Sequence, residues 1–174
     1  MGATIHTITA PVDPQVLDGL AVLMRDCVAQ GAAIGMVQPF DATAARAFWQ
    51  SNVAPEVDRG ARTLFIARDD EGICGTVQLI TAMPPNQPHR CEIAKMMVAP
   101  SARRRGIGRA LMAAALEHAR ALGKRTVTLD TRSGDIAQPL YASVGFEVAG
   151  EIPDFALNPD GATLHATTYM YLKL

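Results

Sequence analysis

One short segment of the chain combines basic side chains with glycines in a spacing that suits an anionic ligand. It runs Arg103-Arg104-Arg105-Gly106-Ile107-Gly108, with Arg109 next, between a predicted strand and a predicted helix. The backbone N–H groups of a first helical turn have no partner inside the helix, so they point at whatever lies in front of it. Glycine has no β-carbon, so a pyrophosphate can approach these amides, and the guanidinium groups of Arg104, Arg105 and Arg109 can meet the remaining charge. The segment therefore predicts an anion-binding loop.

Two rival glycine motifs do not fit this loop. The dinucleotide fingerprint G-x-G-x-x-G would need a glycine at position 111, which is Leu111, and the phosphate-binding G-x-x-x-x-G-K occurs nowhere in the chain. The flanking sequence is more specific. The strand before the loop ends in Met96-Met97-Val98-Ala99-Pro100, and Leu140-Tyr141-Ala142-Ser143-Val144-Gly145-Phe146 follows further along the chain.

With these flanks, Val98 to Ala110 and Tyr141 to Phe146 resemble the GCN5-related N-acetyltransferase (GNAT) superfamily. The pattern of that superfamily is V-x-P, then R/Q-x-x-G-x-G/A, then L-Y-x-x-x-G-F. The resemblance implies an enzyme that transfers an acetyl group from acetyl-CoA, its cosubstrate, to an amine. It also implies a three-layer α+β fold, in which a mixed, mostly antiparallel seven-stranded sheet has helices on both faces. We expect one such domain to span residues 1–174.

A narrower likeness extends the match to further segments. Glu92 to Arg103, Leu129 to Thr131 and Gly150 to Pro153 look like the tabtoxin-resistance acetyltransferases. This likeness implies a small-molecule amine as acceptor, such as an amino-acid-like or β-lactam toxin, and a role in resistance by detoxification. Two alternatives stay open, namely acetylation of protein N-termini or lysines, and an acyl-CoA-binding module without catalysis.

The resemblance to the superfamily also implies how the cosubstrate is held. The end of the fourth strand would bind the pantetheine arm through backbone groups of Met96 and Val98, like an added strand. The amide of Met97 would hold the carbonyl oxygen as it gains charge, and the loop amides would hold the pyrophosphate. The predicted cofactor-binding residues are Met96, Met97, Val98, Arg103, Arg104, Arg105, Gly106, Ile107, Gly108 and Arg109.

Acetylation of an amine needs a base, because an alkyl amine with a pKa of about 10.4 is almost entirely protonated at neutral pH. By the family likeness, Glu92 and Asp130 lie on either side of the acetyl group, and either could accept the proton directly or through water. Tyr141 stands where the superfamily commonly has a tyrosine that protonates the departing thiolate. Which carboxylate is the base stays open. The acidic residues expected around the acceptor, Glu92, Asp130, Asp154 and Asp160, favour a cationic amino-acid-like compound.

Hydrophobic periodicity and turn signals predict the elements that position these residues. Predicted strands cover 4–9, 62–68, 73–81, 90–98, 126–131, 146–152 and 167–172, and predicted helices cover 15–30, 41–52, 107–122 and 135–144. The order contains hairpins and one β-α-β crossover, which indicates a mixed sheet with helices on both faces. Asp13 is expected to cap the first helix, ahead of Pro14 at the first helical position, and Asp135 is expected to cap the last. The long helix is expected to bury the face Ile107, Ala110, Leu111, Ala114, His118, Ala121 and Leu122, and 153–163 is expected to form a turn-rich loop.

Composition limits the partners that we expect. Lys and Arg number 16 against 17 Asp and Glu, so no overall field attracts nucleic acid or an anionic membrane. Three cysteines without C-x-x-C spacing predict neither a disulfide framework nor a metal site. The N-terminal segment lacks the pattern of a signal peptide, and no apolar run is long enough to span a membrane. We therefore expect a cytoplasmic protein. The resemblance to the superfamily also implies a homodimer.

Overall fold

The computed structural model describes residues 2–174, which contain one seven-stranded sheet. The strands are β1 (Thr4–Ile8), β2 (Arg62–Asp69), β3 (Gly72–Ile80), β4 (Arg90–Val98), β5 (Thr126–Arg132), β6 (Glu147–Leu157) and β7 (Leu164–Lys173). Their order across the sheet is β1-β2-β3-β4-β5-β7-β6, and within the described residues β4 and β5 form the single parallel pair. The predicted mixed, mostly antiparallel sheet is therefore confirmed.

The helices follow the predicted order, with one more than expected. They are α1 (Pro14–Ala29), α2 (Ala42–Phe48), α3 (Ala54–Asp58), α4 (Ile107–Ala121) and α5 (Ala137–Ser143). α1 begins as predicted, because Pro14 takes the first helical position and the Asp13 carboxylate accepts a hydrogen bond of 2.7 Å from Gln15 N. Among residues 2–174, no helix has both the length and the apolar character that crossing a membrane requires.

The two faces of the sheet carry separate hydrophobic clusters, because neighbouring strand residues point in opposite directions. On β2, Leu64 and Ile66 pack in the cluster that contains the buried residues of α1. Phe65, between them, packs in the cluster that contains the buried residues of α4. Trp49 is fully buried on the α1 side. Helices therefore cover both faces of the sheet, as predicted.

The second predicted helix does not end near Asn52. A π-helical turn (Trp49–Val53) follows α2, in which Ala54 N donates to Trp49 O, and α3 continues the chain. Pro55 gives the physical reason, since a proline has no N–H for the carbonyl four residues earlier and its ring crowds that carbonyl. The wider π turn accommodates this crowding. The predicted helix boundary is therefore too early.

The buried face of α4 differs from the predicted face. Its buried residues are Ile107, Leu111, Met112, Ala115, Leu116 and Ala119. Ala110 and Ala121 are exposed instead, and Leu122 is 49% exposed. Apolar and small residues occupy most of the circumference of this helix, so periodicity alone does not identify the side that meets the sheet.

α5 begins one residue later than the predicted cap implies, and its cap is not Asp135. The residue before the helix is Ile136, which makes no side-chain capping bond. The Asp135 carboxylate instead accepts a bond from Ile136 N and pairs with Arg132 at 3.2 Å. The later start puts Pro139 in the first turn, where its missing N–H breaks no helical bond.

The last hairpin is longer than predicted. β6 extends to Leu157 and β7 begins at Leu164, so much of the predicted loop at 153–163 is strand. The register shifts between Ile152 and Ala156, which pair with Thr167 and His165. The extra residues of β6 form a bulge that contains Pro153, which has no N–H for the ladder. This hairpin reaches the site described next.

Candidate active site

β4 and β5 separate soon after they begin to pair. Their parallel register runs from Arg90 with Thr126 to Glu92 with Thr128 and goes no further in the described residues. β3 remains paired with the opposite edge of β4 as far as Val98. The edge of β4 that faces β5 therefore has backbone groups without a strand partner beyond Glu92. An extended ligand can add to this edge as a further strand would.

A cleft of about 1060 Å³ occupies the gap between the two strands. Its lining includes the predicted strand residues Met96, Met97 and Val98 and the predicted loop residues Arg103, Arg104, Gly106, Ile107, Gly108 and Arg109. It also includes Asp130 and Tyr141. The fold thus brings the strand edge, the basic loop and two of the predicted catalytic residues into one cleft.

The basic loop turns sharply into α4. Arg104 and Gly106 both have left-handed backbone conformations, with φ of 64° and 79°. The bond from Ala110 N to Gly106 O, 3.1 Å, is the first of the helix, so the amides of the preceding turn are free of helical partners. Arg103, Arg104 and Arg109 line the cleft beside these amides. This donor set suits the pyrophosphate of coenzyme A.

The two glycines of the loop are needed for different reasons. Gly106 needs its left-handed conformation, which costs most residues with a β-carbon about 1 to 2 kcal/mol. Gly108 is helical, and a β-carbon there would lie 2.9 Å from Leu140 Cδ2. Gly108 therefore allows α4 to pack closely against α5. This reason for a glycine differs from the predicted one, which was access of the pyrophosphate to the amides.

Arg105 points away from the predicted role. Its guanidinium group pairs with Asp69 at 3.3 Å, at the turn between β2 and β3. Arg105 is not among the residues that line the cleft, unlike Arg103, Arg104 and Arg109. Arg105 thus lies apart from Arg103, Arg104 and Arg109.

Tyr141 is held in the cleft wall by α5. Its side chain is 5% exposed, and its ring packs on Phe146 with 6.1 Å between centroids. Burial raises the pKa of the Tyr141 phenol, and the negative charges of Asp135 and Asp130 raise it further. The phenol therefore stays protonated well above its ordinary pKa and can act as a proton donor.

Asp130 and Glu92 have different surroundings. On β5, Val127 and Leu129 are buried in the cluster on the α4 side, so Asp130 points to the other face, where it lines the cleft. Glu92 lies at the last paired position before β4 and β5 separate. Its carboxylate pairs with Arg90 at 3.2 Å, and Glu92 is not among the lining residues.

Three distant segments meet at Arg132, beyond Asp130. The Arg132 guanidinium donates to Gly31 O at 3.3 Å and to Asn158 Oδ1 at 3.1 Å, and it pairs with Asp135. A second bond, from Gln38 N to Pro159 O at 2.8 Å, joins the same loop and hairpin. The loop after α1 and the β6–β7 hairpin therefore come together at this end of the cleft, which we call the acceptor end.

Several residues of the acceptor end have no signal in the sequence. Lys95, Arg132 and Phe155 line the cleft, and no motif in the sequence marks them. The spacing of Arg132 and Asp135 indicates a local ion pair but no site. Lys95 lies in a β-bulge, which the pattern of alternating residues does not reveal.

The expected ring of acidic residues does not form around the acceptor end. Of Glu92, Asp130, Asp154 and Asp160, Asp130 alone lines the cleft. Asp160 instead accepts bonds from Ala162 N and Thr163 N of its own turn, and these backbone bonds lower its pKa. The acceptor end contains charges of both signs, because Lys95 and Arg132 also line it.

Together these features define a class of enzyme. A strand-like binding edge that leads to an anion-binding loop suits a thioester of coenzyme A, and a carboxylate with a buried phenol suits transfer of its acyl group to an amine. The chain belongs to the GNAT family of acetyltransferases, since the family model described as "Acetyltransferase (GNAT) family" matches residues 29–146. It is accordingly an N-acetyltransferase that depends on acetyl-CoA.

Known proteins resemble the chain in sequence or in fold. The chain is 36% identical over 117 residues to an uncharacterised N-acetyltransferase in the hisH-hisA intergenic region of Azospirillum brasilense, a match that covers 66% of this chain and 67% of that protein. The yncA protein of Salmonella typhimurium, solved with acetyl-CoA, has a TM-score of 0.78 at 19% identity, covering 100% of this chain and 95% of that one. A ribosomal-protein-alanine N-acetyltransferase from Brucella melitensis has a TM-score of 0.78 at 22% identity, covering 98% and 99%.

Proposed function

We propose that this enzyme acetylates the amine of a small, amino-acid-like molecule and that it serves in detoxification or resistance. The observation that carries the proposal is the bridged acceptor end of the cleft. Arg132 joins Gly31 to Asn158, and Gln38 bonds to Pro159, so a loop and a hairpin meet there. A bridged rim of this kind suits a small molecule better than a folded protein surface. The likeness to the tabtoxin-resistance acetyltransferases points to the same class of acceptor.

In the proposed mechanism, Asp130 takes the proton from the acceptor ammonium, directly or through water. Its place in the cleft favours it over Glu92, whose carboxylate is paired with Arg90. The free amine then attacks the acetyl group, whose carbonyl oxygen is held by a backbone amide on the free edge of β4. As the C–S bond breaks, Tyr141 gives its proton to the departing thiolate, which suits a phenol whose burial keeps it protonated. The proton that the acetylated nitrogen releases restores the phenol.

A direct assay tests the proposed function. Purified protein is mixed with acetyl-CoA and a panel of amino acids, amines and amino-acid-like antibiotics, and the release of free thiol is followed. We expect release that depends on the acceptor, with saturation at increasing acceptor concentration. The absence of acceptor-dependent release across the panel would contradict the proposal.

A second candidate function is acetylation of protein N-termini. The Brucella neighbour, a ribosomal-protein-alanine N-acetyltransferase, shares the fold over nearly the whole of both chains. Peptides that begin with alanine, added to the same assay, separate the two functions. Peptide acceptors with a higher kcat/KM than any free amino compound would favour this second function.

We also propose a homodimer that forms through β6. This strand lies at the edge of the sheet, and its side chains are exposed along almost its whole length. Val148, Ile152 and Phe155 are among the exposed large hydrophobic residues. A long edge strand with such residues can pair with a second copy of itself. Light scattering of the wild type and of Val148→Lys tests this: a monomeric wild type would contradict the dimer.

We further propose a cytoplasmic location without nucleic acid or membrane partners. Cys27, Cys74 and Cys91 are free and buried, as is usual where thiols stay reduced. The near balance of charge supports the expectation about partners.

A further inference from the structure

Lys95 brings an ammonium group into the acceptor end of the cleft. Within residues 2–174, Lys95 Nζ forms no hydrogen bond and no ion pair with another side chain. The group instead lies 5.9 Å from the centre of the Phe48 ring. On another side it meets the loop after α1, since a β-carbon added to Gly35 would lie 3.5 Å from Nζ. A partly buried positive charge thus lies beside an aromatic ring and a glycine backbone.

The backbone of β4 is distorted at this residue. Lys95 has a φ of 49°, and the register with β3 shifts between the pairs Gln78–Ala94 and Thr76–Met97. A left-handed lysine costs about 1 to 2 kcal/mol, and bulges near active sites commonly redirect a side chain. The bulge is the local cause of the position of Lys95.

An opposite charge lines the same cleft without neutralising Lys95. Asp130 is close enough to influence the pKa of Lys95. Among the ion pairs within 4 Å in the described residues, however, none joins Lys95 to Asp130. The other cation of the acceptor end, Arg132, is already paired with Asp135. The acceptor end therefore presents one cation and one anion, each available to a ligand.

The surroundings of Lys95 make an anionic ligand favourable. Burial lowers the pKa of Lys95, the charge of Asp130 raises it, and the charge of Arg62 lowers it. A partly buried ammonium has lost much of its hydration, so a carboxylate that binds it restores the lost interactions. Neither Phe48 nor the Gly35 backbone can do so to the same extent.

We propose that the acceptor is a zwitterion whose carboxylate binds Lys95 while its amine lies against Asp130. This identifies a free amino acid or a close analogue as the substrate class, and Lys95 as the residue that determines this specificity. The inference rests on the proposed small-molecule function. A simple amine or a peptide N-terminus lacks a carboxylate beside the reacting amine.

Matched acceptors test the inference. Each amino acid is compared with the amine that lacks only its carboxylate, for example tyrosine with tyramine and lysine with cadaverine. The readout is the ratio of kcat/KM for the amino acid to that for the amine. A hydrogen bond to a charged group contributes enough for a ratio of about 10 to 100 in the wild type. In Lys95→Met we expect this ratio to fall towards one, mainly because KM for the amino acid rises. In Lys95→Arg we expect part of the ratio to remain.

The control is Lys173→Met, because Lys173 bonds to Thr126 and does not line the cleft. It should keep the wild-type ratio. A merely structural role of Lys95 would lower kcat/KM for both acceptors equally and leave the ratio unchanged, which would overturn the inference. A wild-type ratio near one, with rapid turnover, would also overturn it while leaving the proposed function intact.

Calorimetric binding separates the two proposals if no acceptor is turned over. Tyrosine and tyramine are titrated into the protein in the presence of coenzyme A. Preferential binding of tyrosine that is lost in Lys95→Met would support the inference although the proposed function had failed. Equal binding of both compounds, or binding of neither, would overturn the inference.

Discussion

The two ends of the cleft are built in different ways. The cosubstrate end consists of one continuous stretch, from the free edge of β4 through the basic loop into α4, and its donors are mainly backbone amides. The acceptor end combines Lys95 of β4 with the loop after α1, the end of β5, the start of α5 and the β6–β7 hairpin. Its chemistry depends on side chains such as Asp130 and Arg132. The first end can be recognised from local sequence, and the second exists only after distant segments meet.

This difference suggests a division of labour. At the cosubstrate end, a short local sequence positions the backbone amides, and these bind coenzyme A, a ligand that does not vary. Side chains on separate segments can change one at a time, so the acceptor can differ between proteins of the same fold. Variants at each end should therefore change different kinetic constants.

The largest expected effect concerns Tyr141, which lines the cleft. Tyr141→Phe keeps the ring that packs on Phe146 but removes the proton donor. We expect kcat at saturating substrates to fall by about 10² to 10⁴-fold, the usual contribution of a general acid. Tyr171→Phe is the control, since Tyr171 bonds to Glu147 on the exposed sheet surface. Comparable kcat values for the two variants would refute the role of Tyr141.

Next in size is the effect of Asp130→Asn at the acceptor end. We expect kcat/KM for the acceptor to fall by about 100-fold at pH 7, because the base is lost. The deficit should shrink as the pH rises, since the free fraction of an amine increases about tenfold per pH unit below its pKa. Glu92→Gln distinguishes the two carboxylates. A larger loss with Glu92→Gln than with Asp130→Asn would reverse the assignment of the base.

Gly106→Ala tests the cosubstrate end. The left-handed conformation of Gly106 disfavours alanine, so we expect a loss of about 1 kcal/mol in unfolding free energy and a KM for acetyl-CoA raised about five- to tenfold. Gly123→Ala is the matched control, since Gly123 follows the other end of α4 with a φ of 69° and open space around it. It should lower stability similarly, as measured in urea, without changing KM for acetyl-CoA. Equal KM changes in both variants would contradict a local role of Gly106.

Arg132→Ala tests how the acceptor end is joined together. Loss of its bonds to Gly31, Asn158 and Asp135 should lower stability by about 1 to 2 kcal/mol and Tm by about 3 to 6 °C. KM for the acceptor should rise more than KM for acetyl-CoA. Arg46→Ala, which removes an exposed pair with Asp18, should change stability by less than about 0.5 kcal/mol. A greater rise in KM for acetyl-CoA would break the proposed division between the two ends.

The smallest expected effect concerns the pH dependence of kcat, which should stay constant as the pH rises. Because burial raises the pKa of Tyr141, the phenol remains protonated where an exposed tyrosine would ionise. The proton donor is lost only when the pH exceeds this raised pKa, so kcat at saturating substrates should not decline up to pH of about 10. A fall in kcat between pH 8 and 9.5, measured in protein shown to be folded by circular dichroism, would contradict the raised pKa.

Local sequence accounts for most of the fold. β4 begins and ends as predicted, and α1 starts at Pro14 with the predicted cap, because strand alternation and capping depend on near neighbours. The wrong boundaries lie where a longer-range or competing interaction intervenes. Asp135 pairs with Arg132 and so does not cap α5, and β6 continues through a bulge at Pro153 because β7 supplies its partners.

The sequence by itself determined the family, the order of strands and helices, and the loop that suits the coenzyme, since each depends on residues close together in the chain. Only the tertiary structure decided which charged residues share the cleft. It placed Arg105 against Asp69, left Glu92 paired with Arg90, and brought Lys95 and Asp130 to the same end. The physical reason is that a strand bulge and the separation of β4 from β5 redirect side chains, and neither feature leaves a pattern in the sequence.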